Sequence, residues 1–141
     1  MTQEEKQLLL IDLCARLPYG LICNELGQAK KLLSVSPSKA YGITLDNGEY
    51  TRGNYKIEDI KPYLRPMSSM TNEEKKELRQ EHVKDEKLYA ECLTNAANGD
   101  NSMRGKVILH FAADWCNKNH FDFRGLIPMG LALEAPKDMY K

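Results

Sequence analysis

Cys116 and His120 lie four residues apart in the run from Val107 to His120, the stretch of this chain that most resembles a reaction centre. On a helix that spacing sets thiol and imidazole on one face, and such a pair can generate a thiolate nucleophile. A third group must orient the imidazole, however, and two residues four apart recur by chance. A buried thiol beside a capping histidine is the competing reading. The same run imitates a dithiol redox site, where a Cys-x-x-Cys pair closes a strand and the second thiol resolves the mixed disulfide formed by the first. Asn119 stands at the resolving position. Without that second sulfur Cys116 cannot cycle as a dithiol, and thioredoxin-like chemistry is set aside.

His110 and Asp114 repeat the four-residue spacing, and with Cys116, His120 and Asp122 they invite a metal reading. Ligands must converge on one point, whereas positions 110, 114 and 116 point in different directions around a helix. No metal and no cofactor are expected. The short string His120-Phe-Asp-Phe-Arg124 is the better candidate, because an imidazole, a carboxylate and a guanidinium alternate with two aromatics where a helix ends. Functionally, His120, Asp122 and Arg124 would form a polar cluster beside an apolar groove. Structurally, Phe121 and Phe123 would anchor the following chain while Asp122 caps the next turn or pairs with Arg124.

A second candidate surface comes from Tyr63, Arg65, Met67 and Met70 on a proline-flanked extended segment. Tyrosine, arginine and methionine are enriched in interface cores, which fits a protein partner. The alternative is that Tyr63, Leu64 and Met67 merely pack a sheet against helices.

Nucleic-acid binding draws on Lys30, Lys31, Lys39, Arg52, Lys56, Lys61 and Arg65, interleaved with Tyr41, Tyr50, Tyr55 and Tyr63, as in small barrels that stack bases in a basic groove. Glu25, Asp46, Glu49, Glu58 and Asp59 dilute that groove. The chain as a whole balances 20 basic against 20 acidic residues, so no global field gathers polyanions. Phosphate-binding loops, nucleophile elbows and metalloprotease motifs do not occur in the sequence.

These residues must be positioned by the elements between them. Thr2 to Glu5 reads as a capping box that opens a helix over residues 1–17, stopped by Pro18. From Pro18 to Pro66 glycines and prolines punctuate short β-prone runs at Tyr19–Asn24, Lys31–Val35, Ala40–Leu45, Glu49–Arg52 and Tyr55–Ile60. Asp46-Asn47-Gly48 supplies a tight hairpin turn. This is the pattern of a small bent antiparallel sheet or SH3-like barrel. Lys61–Met70 then leaves the sheet in extended form.

A second capping box, Thr71 to Glu74, opens a charged helix whose one face carries Leu78, His82, Asp85, Tyr89, Cys92, Leu93 and Ala96. After a break at residues 98–102, Ile108, Phe111, Ala112 and Trp115 fall at helical spacing, and that helix frays near Asn119. Residues 121–136 form a short turn around Leu126 and a tail docked through Leu126, Ile127, Leu131 and Leu133. The whole is one α+β domain over 1–141, with an N-terminal helix, the small sheet or barrel over 18–66, and two C-terminal helices with the docked tail over 71–141. Four scattered cysteines, an acidic N-terminus and no long apolar run fit a cytoplasmic protein that does not enter a membrane.

Three strings have a family look: Leu13 to Gly20, Lys61 to Thr71, and His120 to Ile127 continuing through Gly130 to Pro136. They resemble uncharacterised small proteins carried by phages and mobile elements of gut anaerobic bacteria. The resemblance implies a mobile-element setting and a helix ahead of the His-Phe-Asp string. The expected function is an accessory protein-interaction module that binds a host or phage protein through Tyr63, Arg65 and Met67 or through His120, Asp122 and Arg124. A nucleic-acid module using the barrel is the alternative, and a thiol enzyme centred on Cys116 ranks last.

Overall fold

The computed structural model describes residues 1–49, 51–82 and 112–140. Helix α1 (Gln3–Arg16) opens on the anticipated capping box, in which Thr2 Oγ1 accepts from the Glu5 amide and Glu5 Oε2 accepts from the Thr2 amide. Two orphan donors of the first turn are thereby satisfied. Leu9 and Leu13 bury completely, as the apolar stripe requires. Asp12 and Arg16 bury with them, one helical turn apart on the inward face. Leu17–Tyr19 tightens into a 3-10 turn at Pro18 and ends the helix.

Five strands follow, β1 (Ile22–Glu25), β2 (Gln28–Val35), β3 (Ile43–Gly48), β4 (Thr51–Tyr55) and β5 (Lys61–Leu64), and a short β6 (Leu133–Glu134) comes from the tail. The sheet order is β4-β3-β2-β1-β5-β6. Pairings are antiparallel except β5 with β6, where Tyr63 aligns with Leu133 and Leu64 with Glu134. The fold is α+β, and its sheet is open rather than closed into a barrel.

Three expectations are corrected. Gly48 has the expected left-handed backbone (φ 84°), but the β3–β4 turn lies beyond it, at the left-handed Glu49 (φ 49°), where Asp46 Oδ1 accepts from the Gly48 amide and a bulge shifts the register. Tyr55–Ile60 is not a whole strand, since Ile57–Asp59 coils into a 3-10 turn. Lys61–Leu64 does not leave the sheet but lies inside it between β1 and β6, despite Pro62. Proline donates no ladder bond, so central strands normally exclude it. Here the β1–β5 register is only two pairs long. The Tyr140 hydroxyl extends it by accepting from the Ile22 amide at 3.0 Å and donating to the Tyr63 carbonyl at 2.7 Å.

Helix α2 (Asn72–His82) begins at its capping box, with Thr71 and Glu74 in reciprocal contact. Residues 112–118 are helical, which confirms the helix around Trp115 as far as it is described; Val107–Phe111, His110, Tyr89, Cys92 and Leu93 fall outside the described residues. Two cores result. α1 packs on the sheet through Leu9, Leu13, Leu21, Leu45 and Leu64, while Met70, Leu78, Trp115, Cys116 and Phe121 make the second. No helix among the described residues is long and apolar enough to cross a membrane.

Candidate functional site

The helix 112–118 ends in a Schellman motif rather than fraying. The Phe121 amide donates to the Cys116 carbonyl at 2.9 Å, and the His120 amide donates to the Asn117 carbonyl at 3.2 Å. This pattern needs a left-handed residue between, a place glycine usually fills. His120 fills it here, with φ 63°. The hydrophobic contact that accompanies such an end is the stack of Phe121 on Trp115, centroids 5.5 Å apart. Asn119, at the position where a resolving thiol would sit, donates its side-chain amide to the Trp115 carbonyl and helps close the helix.

Leaving that helix end, the chain runs beside the end of β5. The Arg65 amide donates to the His120 carbonyl at 2.7 Å, and the Asp122 amide donates to the Arg65 carbonyl at 2.8 Å. The two strings singled out in the sequence, more than fifty residues apart, are thus one structure. The Arg65 guanidinium lies 4.1 Å over the Phe121 ring and reaches Glu74 at 2.7 Å.

The six anticipated binding residues divide sharply. Asp122 caps the following turn, its two carboxylate oxygens accepting from the amides of Leu126 and Ile127. Arg124 points inward to Asp12 and Asn117 and stacks on Phe123. Tyr63 accepts at its hydroxyl from the Asn24 side chain, and Met67 packs at the edge of the second core. Of the six, Arg65 and His120 meet at an open concavity. It encloses about 350 Å³ and is lined by Tyr19, Arg65, Lys118, Asn119, His120 and Tyr140 among others. Comparison with family models, with curated proteins and with solved structures finds no match to this chain.

His120 is the unusual member of this group. It is only 4% exposed, and its ring stacks on Tyr140 with centroids 3.8 Å apart. Its Nδ1 is buried without a hydrogen-bond partner. Burial, reinforced by the charges of Arg16 and Arg65, pulls the imidazole down to about 4 against a hydrogen bond with the Tyr19 backbone that favours the charged form. The ring is therefore neutral at pH 7, one nitrogen a donor and the other an acceptor.

A second concavity of about 530 Å³ adjoins the first and shares Arg65, Met139 and Tyr140 with it. Glu74, Glu134 and Asp138 line this second one together with Arg65 and Lys137, so its lining is net acidic where that of the first is basic.

The thiol reading loses its geometry. Burial pushes Cys116 up to about 12 despite the nearby charges of Arg16 and Arg124, so it holds no thiolate at neutral pH. The four-residue spacing fails as well, because the helix ends at residue 118 and the left-handed His120 turns the chain away. Cys14, Cys23 and Cys116 carry no disulfide, and Cys92 lies outside the described residues. Among the described residues no cluster of three histidine, cysteine or acidic side chains is placed to hold a metal.

Sequence reasoning missed four contributors: Asp12, Arg16, Lys118 and Tyr140. Arg16, wholly buried, donates to Asp12, to the Cys116 carbonyl at 3.4 Å and to the Phe121 carbonyl at 2.7 Å, so α1 holds the corner from beneath. The signal for this pair was present, since a charged couple at four-residue spacing inside an apolar stripe must find partners when buried. Tyr140 gave no signal, because its hydroxyl serves strands far away in sequence.

Proposed function

We propose that the chain is an accessory protein of a phage or mobile element that acts as a protein-interaction module, engaging a host or phage protein through the face where Arg65 meets His120. One observation carries this reading. Two adjoining concavities share Arg65, Met139 and Tyr140, and Tyr19 stands 39% exposed at the rim of one. Arginine, tyrosine and methionine are the side chains that interfaces concentrate, and concave ground lets a partner side chain lose its water on several sides at once. Asp122 and Arg124 support the face from inside.

The nucleic-acid alternative has less to stand on. The Tyr55 hydroxyl is held between Lys30 and Asn47, Tyr63 is bonded to Asn24, and Tyr50 lies outside the described residues. Tyr41, with Lys56 over its ring, is the exposed tyrosine left on that side among the described residues. One ring is a poor stacking platform for a strand of bases.

The test is affinity capture from the cells that carry this chain, comparing wild type with the double variant Tyr19→Ala, Lys118→Ala. A partner retained by the first and lost by the second supports the module. Identical capture by both, or no specific partner, removes it.

A further inference from the structure

Taking this face as the binding face, as above, the geometry points to the His120 cavity as an oxyanion site that holds a phosphate or carboxylate group between Arg65 and Lys118. About 350 Å³ is the low end of ligand-pocket size, suited to a small head group rather than an extended ligand. Two cationic side chains line it, and none of the described residues lining it is acidic. The adjoining concavity sets Glu74, Glu134 and Asp138 against Arg65 and Lys137, which leaves its lining net acidic and less suited to the same group.

His120 supplies the second, independent observation. A histidine at the left-handed C′ position costs about 1 kcal/mol against glycine. Such strain persists where the surrounding structure holds it, and it concentrates at functional sites. Here the ring is also nine-tenths buried, stacked flat on Tyr140, and left with an unpartnered Nδ1. A glycine would close this helix without strain and leave no orphan nitrogen.

The groups around the ring are Arg16 from α1, Arg65 just beyond β5, Lys118 from the helix end, and Tyr19 and Tyr140. All the charged ones are positive; Asp12 offsets Arg16 and Arg124, and Glu74 offsets Arg65 from 2.7 Å. Burial chiefly keeps the ring neutral and the charges of Arg16 and Arg65 add to it; a bound anion would offset those charges, so binding favours a proton on His120. Affinity then rises as pH falls towards 5.

Intact protein is titrated with sodium sulfate, a tetrahedral dianion that does not itself titrate in this range, and separately with sodium acetate. Sodium chloride holds the ionic strength constant, and the imidazole and amide resonances of Arg65, Asn119 and His120 are followed by nuclear magnetic resonance. Saturable shifts confined to this cavity are expected, tighter at pH 5.5 than at 7.5. Saturation by sulfate alone assigns a phosphate-bearing ligand, and saturation by acetate assigns a carboxylate. Lys118→Gln, an exposed position, should weaken binding at least about tenfold with the rest of the spectrum unchanged, and His120→Asn should abolish its pH dependence. Non-saturating shifts with both anions, or equal binding in Lys118→Gln, overturn the assignment. A captured partner that ignores Lys118→Gln alone would leave the interaction module standing and this site refuted. Saturable anion binding without any specific partner would do the reverse.

Discussion

At the scale of single residues, His120 does three things that conflict in an ordinary protein: it closes a helix in the left-handed region, it buries an imidazole, and it leaves a ring nitrogen unpaired. Its folded value of about 4 lies below the unfolded value of 6.5, so the unfolded chain binds the extra proton between them. The stability that the neutral ring contributes is complete above pH 6.5 and is lost as pH falls towards 4. Comparing chemical denaturation of wild type and His120→Asn at pH 7 and pH 4.5 should show the wild type losing up to about 3 kcal/mol more. Equal pH slopes would mean that the ring is not buried neutral. The sequence placed His120 at the helix end, yet nothing in its neighbours announced the left-handed backbone. A glycine there would have signalled it; a histidine conceals it.

Among the elements, those with local causes were legible and those made by distant contacts were not. Both capping boxes, at Thr2 and Thr71, are four-residue patterns whose bonds close within one turn, and both formed as read. Strand β5 was misread because Pro62 and Pro66 argue against a ladder, and the group that extends the ladder arrives from Tyr140, 77 residues beyond Tyr63. Tyr140→Phe keeps the stack on His120 but removes the hydroxyl from the Ile22 amide and the Tyr63 carbonyl. Leaving those backbone groups unsatisfied should cost about 1–3 kcal/mol in thermal or denaturant unfolding. Amide exchange at Ile22 should speed up with it. Wild-type stability in this variant would show that water replaces the hydroxyl at no cost.

At the scale of the molecule, α1, the sheet and the C-terminal corner are joined through a buried charge network in which Asp12 accepts from Arg16 and Arg124 while Arg16 reaches two carbonyls of the corner. The candidate face exists because these parts hold one another. Arg16→Ala strands Asp12 with one partner and takes one of two donors from each of the Cys116 and Phe121 carbonyls, so unfolding measurements should show a loss of about 3–5 kcal/mol. A loss below about 1 kcal/mol would mean that the corner stands without α1. Of the candidate site, the sequence located Arg65 and His120 separately; only the bond across the end of β5 reveals them as neighbours. That they share one surface is tested most directly by the scalar coupling through the hydrogen bond from the Arg65 amide nitrogen to the His120 carbonyl carbon. The 2.7 Å contact predicts a resolved coupling together with slow exchange of the Arg65 and Asp122 amides. An Arg65 amide that shows no coupling and exchanges as fast as an open chain would contradict it.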